Sequence, residues 1–382
     1  MTTTGKWITG LIALVIIIAL VAVFGRGEDG GEVAEEGPIR IGFVGPLSGD
    51  AAAYGEPSSN AAIIAVDEVN AAGGVNGRML EFLPQDSECT GAKAASAAQK
   101  LVQTDKVKYI VGLVCSGDAL AIRPITEAEG VIFFSAYATN PEISEGTRYF
   151  FRTVPTDALT GRVLAEKLYE QYGSVAVITE NTEYAQGLRN IFTTTYKELG
   201  GTVSVDEVAP PETKDFRAQI TKVLAANPEA VFVNTQAGGS AQAMIKQMRE
   251  LGLEQKVVAA YWTGPDFVEA GPWVNGTLVA DAPQLNEENP LAKSFMEKYL
   301  ARFGAAPNYA VGAGGAYDSV MLLAEAMRAV GDDTDVVRDY LHALSNYGGT
   351  LGAYSFDERG DVVGIDLTFW EVEDNKIVPA AI

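Results

Sequence analysis

From Ile39 onward, short apolar runs alternate with stretches whose apolar residues recur every three or four positions. IRIGFVG (Ile39–Gly45), MLEFLPQD (Met79–Asp86), KYIVGLV (Lys108–Val114) and VIFFSAYA (Val131–Ala138) predict strands. Between them, about Pro57–Ala72, Ala92–Thr104 and Ala119–Glu129 predict helices. The alternation then restarts. Ser174–Glu180, Thr202–Val208, Glu229–Thr235 and Lys256–Trp262 predict strands, interleaved with helices over Asp157–Tyr172, Gln186–Leu199, Asp215–Ala226 and Ser240–Leu251. Most of these strands are nearly continuous apolar runs, as in a parallel sheet covered on both faces. Strand–helix alternation of this kind predicts doubly wound α/β units, and two sets in series predict two lobes. Helices over Leu291–Phe303, Tyr309–Val330 and Val336–Leu344 follow. The end alternates in polarity around Glu358–Asp361, which predicts an antiparallel hairpin.

Ahead of this pattern, Trp7–Phe24 is eighteen residues without a charge. As a helix it spans about 27 Å, close to a hydrocarbon core. Lys6 precedes it, and five acids without a base occupy Glu28–Glu36. Two readings fit, an uncleaved membrane anchor and a cleaved signal peptide. Either exports the rest of the chain, and Gly25–Pro38 reads as a flexible linker.

In open α/β sheets, ligands bind beyond the carboxyl ends of the strands. The segments predicted there are Gly45–Gly55, Cys115–Asp118, Tyr137–Asn140, Glu180–Gly187, Thr235–Ser240 and Tyr261–Asp266. They are rich in Gly, Ser, Thr and Tyr and contain no Lys or Arg, which argues against a phosphate site. Hydroxyls and helix N–H groups can still hold a carboxylate, and Ser116 and Thr139 are placed to do so. From spacing alone, plain N-capping explains both equally. Tyr54, Tyr184 and Tyr261 could wall an apolar side chain or simply pack in a core.

Charge and rare residues narrow the field. With 28 basic and 50 acidic side chains, the net charge of −22 disfavours nucleic acid as a partner. The single histidine, His342, lies on a predicted helix away from these loops, so a His-based triad or multi-His metal site is hard to build. No nucleophile elbow is present. Cys89 and Cys115 are the only cysteines. In an exported chain, such a pair is most simply a disulfide, with two free thiols as the alternative.

The stretches IRIGFVGPLSGDAAAYGE, AVDEVNAAGGVNGR, KYIVGLVCSGDALA, SAYATNPE, FFRTVPTD, EYAQG, KDFRAQI, AYDSV and FDERGDV run in order from Pro38 nearly to the C-terminus. In them the chain resembles the branched-chain amino-acid binding proteins of bacterial ABC transporters, a type I periplasmic-binding fold. The resemblance implies two lobes joined by three hinge crossings, near Val154–Asp157, Ala282–Gln284 and Tyr347–Ala353. The first lobe would comprise residues 38–154 and 285–346, and the second 155–282 and 348–382. It implies an extracytoplasmic, non-enzymatic protein that passes a small ligand to an ABC permease, with no cofactor. A ligand-sensing module for amides or small carboxylates is the alternative. Ser116 and Thr139 would bind the ligand carboxylate, and Tyr137 would contribute backbone contacts to its ammonium group. Tyr54 and Tyr184 would line the cleft, and Cys89 and Cys115 match the disulfide of leucine-type members. The family's acidic ammonium anchor aligns near Tyr261 or Trp262, and a second-lobe tyrosine near Ala237. Asp266 and Glu183 are the candidate substitutes, and amides, urea and aromatic or aliphatic carboxylates stay open as ligands beside leucine.

Overall fold

The computed structural model describes residues 37–49, 51–262 and 264–380. The apolar run Trp7–Phe24, expected as an anchor or signal helix, lies outside them. Among the described residues no helix is long and apolar enough to cross a membrane.

The first sheet is built from β1 (Ile39–Gly45), α1 (Ala52–Ala71), β2 (Leu80–Asp86), α2 (Gly91–Gln99), β3 (Tyr109–Gly112), α3 (Ser116–Glu129), β4 (Ile132–Ser135) and β5 (Phe150–Arg152). Its five strands are parallel in the order β2-β1-β3-β4-β5. The second comprises α4 (Asp157–Gln171), β6 (Ser174–Glu180), α5 (Glu183–Glu198), β7 (Thr202–Ala209), α6 (Arg217–Ala226), β8 (Ala230–Asn234), α7 (Gly238–Glu250), β9 (Lys256–Ala260), α8 (Pro265–Val268) and β10 (Leu278–Asp281). There follow α9 (Pro290–Phe303), α10 (Ala310–Val330), α11 (Thr334–Ala343), β11 (Tyr347–Gly349), β12 (Gly352–Phe356), β13 (Val362–Val363), β14 (Thr368–Glu373) and β15 (Lys376–Pro379). Strands β14 and β15 add antiparallel to the second sheet, whose order is β15-β14-β10-β9-β8-β6-β7. Central strands are buried on both faces, so their apolar residues need no alternation.

In each sheet the chain order reverses between the first strand and the third, which opens a crevice at their carboxyl ends. The loops after β1 and β3 meet the loops after β6 and β8 there.

The chain passes between the sheets at Thr153–Thr156, after Asp281, and between Ile365 and Thr368. The third crossing corrects the sequence reading, which put it at Tyr347–Ala353 and gave residues 348–382 whole to the second lobe. Leu351, Tyr354, Phe356, Val362 and Ile365 instead join the first core, with Phe134, Phe151 and Tyr317. Two polar anchors hold the segment there. Asp318 of α10 accepts from the Thr350 N–H at 2.8 Å and the Tyr354 hydroxyl at 3.2 Å. The Arg152 N–H donates to Gly360 O at 2.9 Å, and the Arg152 side chain pairs with Asp361 at 2.6 Å. Gly360 has φ +78°, and a Cβ there would lie 1.8 Å from Phe150 O, so only glycine fits this docked turn. The polarity alternation read as one hairpin therefore covers two: β12–β13 on the first lobe and β14–β15 on the second.

Candidate functional site

Between the sheets lies a cavity of about 770 Å³. Ser116, Tyr137, Thr139, Tyr54, Tyr184 and Tyr261, all singled out in the sequence, line it together.

On the first-lobe side, helix α3 begins at Ser116. Cys115 is the residue before it, and no side chain caps it. Neither Ser116 nor Thr139 is an N-cap, so simple capping does not account for them. The Ser116 Oγ accepts from the Asn140 N–H at 3.3 Å, which leaves its own proton uncommitted. The N–H groups of Ser116 and Gly117 have no partner among the described residues, as expected for the first turn of a helix. The Thr139 hydroxyl donates to Asp157 Oδ2 at 2.9 Å. Asp157 and Thr139 are fully or almost fully buried.

Cys89 and Cys115 form a disulfide with a Cα–Cα separation of 5.6 Å, at the rim of the cavity. It ties the start of α3 to the loop after β2. Tyr54, in the first turns of α1, is brought to the cavity by the close approach of α1 to the turn after β1. A Cβ on the adjacent Gly55 would sit 1.8 Å from Pro46 O.

The second-lobe side is aromatic. Tyr261 follows β9 with φ +63°, an uncommon conformation for a bulky residue and of the kind found at binding sites. Its ring meets Tyr137 at 5.8 Å and Tyr184 at 6.1 Å, both edge-on. Trp262 meets Tyr54 edge-on at 6.5 Å. Burial pushes the Tyr137, Tyr184 and Tyr261 hydroxyls well above their ordinary range. Glu180, at the end of β6, accepts from the Gln236 N–H at 2.6 Å, and burial raises its carboxyl.

Several bonds cross the gap. Tyr54 Oη accepts from the Gly238 N–H at 3.0 Å, and the Tyr137 hydroxyl donates to Tyr261 O at 3.3 Å. Asn140 Nδ2 donates to Glu183 O at 2.7 Å. The two lobes are thus closed on each other around the cavity.

Of the candidate ammonium acceptors, Glu183 lines the cavity, and the side chain of Asp266 lies outside the described residues. Sequence reasoning missed Asp157, Gln236, Tyr309 and Lys214. Tyr309 donates to Tyr54 Oη at 3.1 Å, with ring centroids 4.1 Å apart. Lys214 lines the mouth beside Glu88, Glu180, Glu183 and Glu212, from the β7–α6 loop, a carboxyl-end segment that the sequence reading did not name. His342 is elsewhere, on α11, with Nδ1 3.0 Å from Asp357 O. Among the described residues no cluster of three or more His, Cys, Asp and Glu side chains suits a metal.

Paired parallel sheets, a crevice at both switch points and three crossings agree with the family comparison. A family model described as periplasmic binding protein matches residues 38–376. The chain belongs to the periplasmic binding protein family. Among relatives of this binding protein is the leucine-, isoleucine-, valine-, threonine- and alanine-binding protein of Pseudomonas aeruginosa. It is 31% identical over 342 residues, covering 87% of this chain and 89% of that protein. A leucine binding protein of Thermotoga maritima superposes with a TM-score of 0.82 at 27% identity, covering 90% of this chain and 98% of that one. A branched-chain amino acid substrate binding protein of Streptococcus pneumoniae, solved with isoleucine, gives 0.78 at 28% identity, covering 90% and 100%.

Proposed function

We propose that this chain captures a small amino-acid-like solute outside the cytoplasm and delivers it to an ABC permease. One observation carries the reading. The uncommitted Ser116 hydroxyl and the free N–H groups of Ser116 and Gly117 lie at a cavity whose lining includes a single cationic side chain, Lys214 at the mouth. Uncharged donors of this kind suit a single carboxylate.

The ligand's ammonium group would meet the Tyr137 carbonyl and the Thr139 Oγ, with the ring faces of Tyr184 and Tyr261 beside it. Tyr54 and Trp262 would enclose the side chain. The first lobe would comprise residues 38–154 and 285–366, the second 155–282 and 367–380. Ligand bridging both lobes favours the closed state by hinge rotation. Trp7–Phe24, if retained as a membrane helix, would keep the receptor close to its permease through the Gly25–Pro38 linker.

The test is a thermal-shift screen of the exported form with amino acids, amides and small carboxylates, followed by calorimetry. Saturable binding of at least one aliphatic amino acid is expected. Binding only of carboxylates that lack an amino group would overturn the amino-acid reading. The absence of any small ligand would overturn the whole.

A further inference from the structure

Asp157 opens helix α4 at the first crossing between the lobes and is fully buried. Its Oδ2 accepts from the Thr139 hydroxyl at 2.9 Å, and its Oδ1 from the Tyr261 hydroxyl at 3.2 Å. Its own N–H donates to Thr139 O at 2.9 Å. The Tyr261 hydroxyl also lies 2.6 Å from Thr160 Oγ1. One carboxylate therefore touches a cleft residue of each lobe.

A threonine hydroxyl has a single proton. An ionised carboxylate accepts and cannot donate, so it commits that proton, and the Oγ1 lone pairs are what Thr139 offers the cleft. A protonated carboxyl can donate, which frees the threonine proton to turn toward the ligand. We propose that Asp157 is a positioning residue that fixes the polarity of the Thr139 hydroxyl. The cleft then selects a ligand with an N–H donor beside its carboxylate over the same carboxylate without one. The ligand half of this inference rests on the solute-binding reading. The coupling between Asp157 and Thr139 does not.

Burial drives the Asp157 carboxyl up to about 7, while Thr139, Arg152 and Tyr261 pull the other way. Arg152 faces it from β5, Tyr261 from the loop after β9 and Thr139 from the loop after β4. Tyr184 of α5 senses its charge, while Asp281 acts on Tyr261 and Asp361 on Arg152. A bound ammonium favours the ionised form, so binding expels a proton and affinity climbs with pH across this range.

Calorimetry with leucine and its des-amino analogue isocaproate, at about pH 5.5 and about pH 8 on either side of the titration, tests this. For the wild type, leucine should bind about tenfold more tightly at the higher pH, one pK unit of linkage. In Asp157→Asn that slope should vanish. In Thr139→Val the preference for leucine over isocaproate should fall at least tenfold. An Asp157→Asn protein that keeps the slope, or a Thr139→Val protein that keeps the preference, overturns the proposal. Should neither probe bind, the coupling is decided in the ligand-free protein by carbon NMR of the Asp157 carboxyl, assigned with Asp157→Asn. Loss of the Thr139 donor must then raise its titration midpoint. A midpoint unmoved in Thr139→Val overturns the coupling.

Discussion

The two walls of the cleft hold their ligand-facing groups by different means. On the first lobe they are short and built into regular structure: the opening N–H groups of α3, the Ser116 hydroxyl, and a disulfide that pins Cys115 to Cys89. Such donors are aimed before any ligand arrives and need little reorganisation. On the second lobe they are rings, one on a residue at φ +63° and another on the first turn of α5. Their neighbours, Tyr54, Tyr137 and Tyr309, come from the opposite lobe. The first wall exists in either state of the hinge, whereas the second is completed by closure. On the proposed function, an acid group is recognised by a fixed surface, and the rest of the ligand by a surface that closure assembles.

The largest effect should come from stripping the fixed wall. Ser116→Ala with Thr139→Ala removes contacts to a charged group worth about 1.5–3 kcal/mol each. Affinity for an amino-acid ligand should drop at least tenfold by calorimetry, and unchanged affinity would break the comparison at its root. The disulfide is next. Cys89→Ser with Cys115→Ser should lower the unfolding free energy by about 3 kcal/mol, for a loop of roughly 27 residues. Denaturant titration reads this directly, and the wild type should show no reactive thiol after denaturation.

A third effect follows from two buried acids of the first lobe. Burial raises the Asp118 and Asp318 carboxyls to about 7, from an ordinary value of 3.8. In the window between those values the folded state holds protons that the unfolded state has lost. Raising the pH removes them, so stability present below about pH 4 is lost as the pH climbs through about 7. Each group contributes at most about 1.4 kcal/mol per pH unit. The melting temperature of the ligand-free protein should fall from about pH 5 to about pH 8, and less steeply in Asp318→Asn. The slope is the readout, because the amide also loses bonds to Thr350 and Tyr354 at every pH. Equal slopes would refute it.

The same contrast explains what could be read from the chain. Both sheets were legible because central strands buried on two faces are continuous apolar runs, and loop chemistry at their carboxyl ends follows from topology. Ser116, Thr139 and the tyrosines were found that way. Tyr309 was not, because it enters from a helix start 255 residues beyond Tyr54 and no periodicity links the two. Asp157 opens a predicted helix, and no sequence pattern says that its side chain turns toward Thr139 and Tyr261. The third crossing was misplaced for a related reason. The polarity of residues 354–378 predicts a hairpin but cannot say which core receives it. That is decided by the Asp318 and Arg152 anchors, residues distant in the chain.

The smallest predicted effect isolates closure itself. The Tyr54 Oη accepts from the Gly238 N–H of the second lobe and the Tyr309 hydroxyl of the first. Tyr54→Phe keeps the ring against Trp262 and Tyr309 but strands both donors in a buried setting, at about 1–2 kcal/mol. The Tyr309 hydroxyl can rotate its proton about the C–O bond, while the Gly238 N–H, fixed at the start of α7, cannot turn. Most of the loss should therefore fall on the closed state, since opening exposes that N–H to water. Ligand dissociation in stopped flow should quicken several-fold, with little change in association rate or in ligand-free melting temperature. A slower association with unchanged dissociation would mean that Tyr54 belongs to the fixed wall, and the division drawn between the two walls would have to move.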